Sequence, residues 1–305
     1  MVQNVAPLMR DLEAEDFYLL SGLEHGMRFG EWVDRDTLPQ YSGLSPEEVQ
    51  YRLDRCMDRE LIERQTIQYE GYRLKFEGYD ALALHTLAER ESILEVGAPI
   101  GVGKEGDVLE VRGDKRYALK FHREGITNFR EVRRERDYTA EHRHISWLYT
   151  ARKAAEREYE ILSDLHPHVA VPAPHDHNRH AIVMELLIGR ELAETAIEPD
   201  DARTLLGSVI SEIQAAYERG YIHADLSAYN IFVTEHRIYL IDWPQAVTTE
   251  HPNGEELLTR DIKNVVSYFN RKAPQIFTRN PDFEALSGLI RQPGGDIHAS
   301  IQDLI

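Results

Sequence analysis

The feature that most constrains this chain is a set of polar residues at fixed spacing around two short apolar runs in its last third. The run from Ile222 to Asn230 holds a histidine, an aspartate two residues later and an asparagine five residues after that aspartate. The apolar runs 231–233 and 238–241 follow, separated by a polar turn, and Asp242 comes directly after the second run. This pattern predicts a short β-hairpin with Asp242 at the end of its second strand.

The same spacing of polar residues is found in the catalytic loop of protein kinases. There the aspartate, here Asp225, accepts or orients the proton of an attacking hydroxyl or water, and the asparagine, here Asn230, holds a metal ion on the phosphates. Asp242 would supply the second metal ligand. Because magnesium is held by few protein oxygens together with phosphate oxygens, one asparagine and one aspartate suffice. The pattern predicts an enzyme that uses ATP and magnesium, with manganese as an alternative ion.

A glycine-rich segment lies upstream, between two predicted strands. Residues 101–106 read Gly-Val-Gly-Lys-Glu-Gly, and the strand-like run Val108 to Arg112 follows. In dinucleotide-binding folds the same glycines lead into a helix, so the strand that follows here favours a loop over the phosphates of ATP. The nucleotide-binding residues predicted from this segment are Gly101, Val102, Gly103, Lys104, Glu105 and Gly106.

The next predicted strand carries Lys120, where kinase-like enzymes place the lysine that binds the α- and β-phosphates. Such a lysine needs a carboxylate from a helix to fix it. The predicted helix from Ala151 to Leu165 offers Glu158 for this role, and Glu156 and Glu160 remain alternatives. The predicted catalytic residues are Lys120, Asp225 and Asp242.

Residues 1–91 have a different pattern. Ser45-Pro46-Glu47-Glu48 begins a helix with a serine cap and a proline in the first turn. The runs Leu61 to Tyr69 and Tyr72 to Phe76, with a turn at Glu70-Gly71, predict a β-hairpin, and a helix from Gly78 to Glu91 follows. Helices combined with a two-stranded wing predict a winged helix.

The candidate recognition helix of this winged helix, Pro46 to Glu60, carries five acidic residues and three arginines. A helix of negative net charge is poorly suited to a groove lined by phosphates. Docking to a protein or to RNA is therefore favoured over sequence-specific readout of DNA.

The charge of the chain is strongly negative, with 53 acidic and 35 basic residues and a net charge of −18. An acidic, lysine-poor chain suggests a salt-adapted organism, because screening makes like charges tolerable. Residues 112–157 are the exception, with 13 basic and seven acidic residues, and form a basic segment in an otherwise acidic chain. Apolar runs are too short to cross a bilayer. With one cysteine and no leader-like start, a cytoplasmic protein without membrane association is predicted.

Together these motifs resemble the RIO family of atypical protein kinases, specifically its type-2 branch. The segments that carry the resemblance are Gly101-Val102-Gly103-Lys104-Glu105, Leu119-Lys120-Phe121-His122-Arg123, Ser146-Trp147-Leu148-Tyr149, Asn178-Arg179-His180, Ile241-Asp242-Trp243-Pro244-Gln245 and the run His251 to Leu258. The resemblance implies an α+β fold in which an N-terminal winged helix, residues 1–91, precedes a reduced, two-lobed kinase domain, residues 92–305. The N-lobe would span about 92–184 and the C-lobe about 188–305.

The resemblance also implies a function and further roles. It implies serine/threonine kinase or ATPase activity in late maturation of the small ribosomal subunit, with rRNA and ribosomal proteins as partners. The basic stretch Arg123 to Arg157 would then contact the rRNA. Glu185 to Leu187 would form the hinge that meets adenine, and Asp242 would accept phosphate transiently. The sequence departs from the family at Ala224, where glycine is usual, and at Gly106, where serine is usual.

Two other classes of function compete with this interpretation. A small-molecule phosphotransferase, such as an aminoglycoside kinase, shares the polar spacing but needs a larger acidic pocket than the 63 residues after Asp242 would build. A nucleotide-binding scaffold without turnover has no need of an intact catalytic set. A histidine-rich stretch offers no metal-site spacing and is predicted to be a loop; its members are His166, His168, His175, His177 and His180.

Overall fold

A computed structural model of the protein describes residues 9–67, 69–102, 106–123 and 147–292. The chain divides into two compact units. The first comprises Met1–Glu156 and His175–Met184, and the second comprises Arg157–Pro174 and Glu185–Ile305. None of the helices in the described residues is both long enough and apolar enough to traverse a bilayer.

The first unit begins with the predicted winged helix. Its elements are α1 (Ala14–Gly26), β1 (Val33–Asp34), α2 (Leu38–Ser42), α3 (Pro46–Asp58), β2 (Ile62–Gln65), β3 (Gly71–Leu74) and α4 (Phe76–Glu89). The strands form an antiparallel sheet in the order β1-β3-β2. The predicted start of α3 is confirmed: the Ser45 hydroxyl accepts a 3.2 Å hydrogen bond from the Glu48 N–H and thereby satisfies one of the free donors of the first turn.

The predicted hairpin of the wing is confirmed, but its predicted turn at Glu70-Gly71 was wrong at Gly71. Gly71 lies in β3, opposite Gln65 of β2 and Asp34 of β1. A β-carbon at Gly71 would lie 2.9 Å from the ring of Tyr69 and 3.1 Å from Cβ of Trp32. The glycine therefore permits close packing rather than a tight turn, and the pairing of β2 with β3 ends at Gln65 and Gly71.

A five-stranded sheet completes the first unit. Its strands, in spatial order, are β4 (Glu95–Val102), β5 (Gly106–Arg112), β6 (Arg116–His122), β8 (Ala181–Glu185) and β7 (Pro174–Asn178). The three strands predicted around the glycine-rich segment are confirmed. The loop predicted at His175 and His177 was wrong, because both lie in β7, where His175 stacks on Tyr117 of β6 at 4.3 Å. One apolar core joins this sheet to the winged helix, from Leu23 and Leu53 to Leu119 and Val183.

The second unit is mainly helical. Its elements are the C-terminal part of α5 (Trp147–Leu165), β9 (Gly189–Glu191), α6 (Ala202–Glu218), β10 (Tyr221–Ile222), β11 (Ile231–Thr234), β12 (Ile238–Leu240), β13 (Val247–Thr248), α7 (Gly254–Lys272) and α8 (Phe283–Ile290). The predicted β11–β12 hairpin is confirmed, and β9 pairs with β11. Along α7, Leu258, Ile262, Val265 and Phe269 recur every three or four residues and are buried. Each contributes about 2 kcal/mol of apolar burial.

Candidate active site

The predicted catalytic aspartate lies in the loop between β10 and β11. Asp225 is exposed, while its neighbours Ala224 and Leu226 are buried. Ala224 has φ = 64°, in the left-handed region. Only glycine adopts this conformation without steric cost, so alanine occupies a position suited to glycine, and the loop keeps the conformation despite its cost.

Helix α7 holds the backbone on both sides of Asp225. The carboxylate of Asp261 accepts hydrogen bonds from the N–H groups of Ala224 at 2.7 Å and Leu226 at 3.0 Å. Arg260 donates to the carbonyl of Ala224, and Nδ2 of Asn264 donates to the carbonyl of Leu226 at 3.1 Å. All four backbone polar groups that flank Asp225 are thus bound by little more than one turn of α7.

Asp261 was missed by the sequence analysis. It is buried, and burial raises its pKa to about 6, although the hydrogen bonds from Leu226 and Ala224 oppose that rise. The signal that could have found it is an aspartate within the apolar stripe of α7, next to Ile262 and one turn after Leu258. A charged residue at such a position needs hydrogen-bonding partners, and here they are N–H groups of the predicted catalytic loop.

The second unit brings Asn230 and Asp242 close to Asp225. Nδ2 of Asn230 donates to the carbonyl of Asp225 at 2.9 Å. The carbonyl of Asn230 accepts a 3.0 Å hydrogen bond from the N–H of Ile241, so Asp242 follows immediately after this link. Asp242 also has a left-handed φ of 68°, a conformation that aspartate tolerates better than most residues.

The donor set at this point fits a magnesium ion. Asn230 offers an amide oxygen and Asp242 offers carboxylate oxygens, the hard ligands that magnesium prefers. Within the described ranges, no three or more His, Cys, Asp or Glu side chains are grouped to hold a metal ion by themselves. An ion bound by Asn230 and Asp242 would therefore complete its coordination with phosphate oxygens and water.

Trp243 fixes the backbone directly after Asp242. Its N–H donates to Oε1 of Glu158 at 3.0 Å, and its indole Nε1 donates to the carbonyl of Leu240 at 3.0 Å. The buried ring packs on His223, with centroids 4.6 Å apart. Nε2 of His223 lies 3.0 Å from the carbonyl of Ile241. The histidine of the motif thus supports the strand that presents Asp242.

The three candidate glutamates of α5 differ in how deeply they are buried. Glu158 is buried, Glu160 is exposed, and Glu156 pairs with Lys153 on the helix surface at 2.6 Å. The sequence held a signal for this, because Glu158 continues the buried stripe of α5. The other members of that stripe are Ala151, Ala155, Leu162 and Leu165. The role of Glu158 toward Lys120 stays a prediction.

The first unit carries the other predicted residues. Lys120 lies in β6 opposite Val108 and is only 9% exposed, which is rare for a lysine and typical of one with a specific role. Gly101 and Val102 end β4, and Gly106 begins β5. The predicted contacts at Gly103, Lys104 and Glu105 lie outside the described residues.

The predicted hinge residues Glu185 and Leu187 belong to the second unit. Glu185 ends β8, and its N–H donates to the carbonyl of Ala173 at 2.8 Å. Its carboxylate also accepts a 3.2 Å hydrogen bond from the N–H of Ala173. Leu187 follows two residues later and is partly exposed. Their contact with adenine stays a prediction.

A buried charge network in the first unit was also missed. Arg123 donates to both carboxylate oxygens of Asp80 on α4, at 2.6 and 2.8 Å, and to Asp107 of β5 at 3.2 Å. Nε2 of His180 lies 2.8 Å from Oδ1 of Asp80. Because Asp107 directly follows Gly106, the network ties the winged helix to the end of the glycine-rich segment.

Comparisons with known proteins agree with this arrangement. A family model described as "RIO domain" matches residues 107–281, and one described as "Rio2, N-terminal" matches residues 9–90. The RIO-type serine/threonine-protein kinase Rio2 of Methanocaldococcus jannaschii is 43% identical over 252 residues, covering 80% of this chain and 92% of that protein. The serine/threonine-protein kinase rio2 of Schizosaccharomyces pombe is 39% identical over 304 residues, covering 97% and 87%.

A solved structure gives the same result at the level of the fold. The crystal structure of the Rio2 kinase-ADP/Mg2+-phosphoaspartate complex from Chaetomium thermophilum has a TM-score of 0.80 and 30% identity, and the match covers 98% of this chain and 93% of that one. The family models and the solved structure therefore match both the RIO domain and the N-terminal domain of this chain. The protein belongs to the RIO family of atypical serine/threonine kinases, in its type-2 branch.

Proposed function

We propose that this kinase transfers the γ-phosphoryl group of ATP, in the presence of magnesium, and acts in late maturation of the small ribosomal subunit. The observation that carries the phosphoryl-transfer part is the restraint of Asp225. Its flanking backbone is bound to Asp261, Arg260 and Asn264, and its own carbonyl is bound to Asn230. Such restraint favours catalysis because a group that is already held in position loses less orientational freedom on reaching the transition state.

The proposed roles follow from the chemistry of each side chain. Asp225, exposed within its restrained loop, orients an attacking hydroxyl or water. Asn230 and Asp242 hold magnesium, which when bound offsets the negative charge of the phosphates. Lys120, buried on β6, binds the α- and β-phosphates, with Glu158 as its predicted carboxylate.

Asp242 is also proposed to accept phosphate transiently. In that step a carboxylate oxygen of Asp242 bonds to the γ-phosphorus, the bond from that phosphorus to the β–γ bridging oxygen breaks, and ADP leaves. Water then cleaves the acyl phosphate and returns the carboxylate with inorganic phosphate. The name of the related Chaetomium thermophilum complex includes phosphoaspartate, which supports the proposal.

The decisive experiment compares ATP hydrolysis and autophosphorylation in the wild type, Asp225→Ala and Asp242→Ala, with magnesium and high salt. We expect near-complete loss of both activities in Asp225→Ala. Asp200→Ala is the matched control, because Asp200 is an exposed aspartate of the second unit outside the site. Full activity in Asp225→Ala would refute the assignment.

The ribosomal part of the proposal rests on the family and on the basic residues 112–157 in an otherwise acidic chain. Arg133→Glu, Arg134→Glu and Arg136→Glu together should weaken binding to pre-ribosomal particles, because phosphate contacts dominate such affinity. Fractionation should find the protein in the cytoplasm with these particles. Unchanged binding by the triple variant would count against rRNA contact through this segment.

A further inference from the structure

The outer side of α7 carries cations next to the catalytic loop. Arg260, Lys263 and Arg271 are exposed on this helix and form what we name the α7 cationic face. They recur at intervals of three and eight residues, which places them on one side of a helix. The only acidic residue of α7 beyond its first turn is Asp261, which is buried against the catalytic loop.

In the described residues these cations are not held in ion pairs, although Arg260 opposes the rise that burial causes in the pKa of Asp261. Among the residues that the structure describes, none of the three forms an ion pair, whereas arginines such as Arg52, Arg73 and Arg179 are bound to carboxylates. The contrast is informative in a chain with a net charge of −18, where carboxylates are abundant. The α7 cationic face is therefore available to an anionic partner.

The face is continuous with the loop that holds Asp225. Arg260 donates to the carbonyl of Ala224, and Asn264, adjacent to Lys263, donates to the carbonyl of Leu226. At the other end of the face, Arg271 and Tyr229 both lie close enough to Tyr268 to act on the pKa of its phenol. Burial raises that pKa, Arg271 opposes the rise and Tyr229 adds to it. Tyr229, from the catalytic loop, is 66% exposed and offers an apolar contact beside the cations.

We propose that the α7 cationic face binds an acidic segment of the protein substrate, with Asp or Glu residues close to the acceptor serine or threonine. The inference rests on the proposed phosphoryl transfer and names its substrate class. Charge complementarity supports it, because an acidic segment would otherwise be repelled by Asp225 and by the acidic chain. A peptide is favoured over RNA because the face adjoins the aspartate that orients the acceptor hydroxyl, and the relatives are serine/threonine-protein kinases.

The test measures binding and phosphorylation of three labelled serine peptides by the full-length protein with ATP or ADP and magnesium. The peptides are identical except that aspartate, glutamine or arginine flanks the serine. Fluorescence anisotropy gives the Kd, and phosphate incorporation gives kcat/KM. We expect the wild type to prefer the aspartate peptide over the glutamine peptide by about ten-fold at low salt, and less as salt rises.

The variant Lys263→Glu/Arg271→Glu should lose or reverse this preference. The control variant is Lys115→Glu/Arg116→Glu, which makes the same change of charge at two exposed residues of the first unit. Lys115 directly precedes β6 and Arg116 begins it, and this variant should keep the preference. The ratio of two peptides within one variant is insensitive to a general loss of folded protein. Equal binding of the three peptides by the wild type, or a preference that survives in Lys263→Glu/Arg271→Glu, overturns the proposal.

A parallel measurement with a single-stranded RNA oligonucleotide separates the two anionic partners. If Lys263→Glu/Arg271→Glu loses RNA affinity but keeps its preference for the aspartate peptide, the face binds RNA and the proposal is wrong. ATP hydrolysis and autophosphorylation of the wild type are measured alongside. Their absence would refute the proposed function, whereas their presence without any peptide preference would refute only this inference.

Discussion

The carboxylate of Asp261 holds Ala224 in a left-handed backbone conformation. Its Oδ2 accepts a 2.7 Å hydrogen bond from the N–H of Ala224, whose φ is 64°. The bond offsets part of the steric cost that a β-carbon incurs in this conformation. Asp261, a buried residue of α7, therefore stabilises the backbone conformation directly before Asp225. Two predictions follow from this contact.

The first prediction concerns the strain at Ala224. Ala224→Gly removes the β-carbon at a positive φ and should raise the free energy of unfolding by about 1 kcal/mol. Urea denaturation of the wild type and the variant measures the change. Ala216→Gly is the control, because Ala216 lies inside α6 and glycine there should lower stability. A decrease in both variants would mean that the loop does not strain Ala224.

The second prediction is a pH dependence caused by Asp261. Burial raises the pKa of this carboxyl to about 6 from an ordinary value near 3.8. The folded state therefore binds the proton more tightly than the unfolded state, and this stabilising contribution is lost as the pH rises from about 4 through about 6. The free energy of unfolding of the wild type, relative to Asp261→Asn, should fall by about 3 kcal/mol over that range.

Urea denaturation of both proteins at several pH values between 4 and 7 measures this difference, and the other titrating groups largely cancel. Asp261→Asn should also lower phosphoryl transfer above about pH 6, where the carboxyl group is ionised. The amide offers one acceptor oxygen in place of the two that bind the N–H groups of Ala224 and Leu226. A stability difference that is constant with pH would show that Asp261 titrates normally.

The third prediction concerns the buried network of Arg123. Arg123→Gln leaves the buried Asp80 without its bidentate partner and should lower the free energy of unfolding by about 3 kcal/mol. Adding Asp80→Asn removes the uncompensated charge, so the double variant should be more stable than Arg123→Gln alone. Arg112→Gln is the control: it breaks the exposed pair with Glu95 and should cost less than about 1 kcal/mol. Equal losses in both single variants would contradict the prediction.

The fourth prediction distinguishes the glutamates of α5. Glu158→Gln should reduce kcat/KM for ATP by about two orders of magnitude, because it weakens the support of Trp243 and the predicted pairing of Lys120. Glu156→Gln and Glu160→Gln alter the same helix at less buried positions and serve as controls with near wild-type rates. Similar losses in all three variants would indicate a general effect on α5 rather than a role of Glu158.

Features that depend on neighbouring residues were predictable from the chain alone. The serine cap of α3, the β11–β12 hairpin and the spacing of His223, Asp225 and Asn230 each lie within a short segment, where backbone geometry and side-chain period act directly. The prediction of the wing turn was wrong at Gly71 because a glycine can either form a turn or allow close packing. The sequence favoured a turn, but Gly71 permits close packing against Trp32 and Tyr69.

Contacts between distant segments could not be obtained in this way. Asp261 and Ala224 are 37 residues apart, Arg123 and Asp80 are 43 apart, and Glu158 and Trp243 are 85 apart. The physical reason is that the local sequence determines which polar groups need hydrogen-bonding partners. The packing of whole helices and strands determines which residues become those partners. Residue identity and spacing therefore specified the reactive groups, and the folded arrangement specified the side chains that hold them in position.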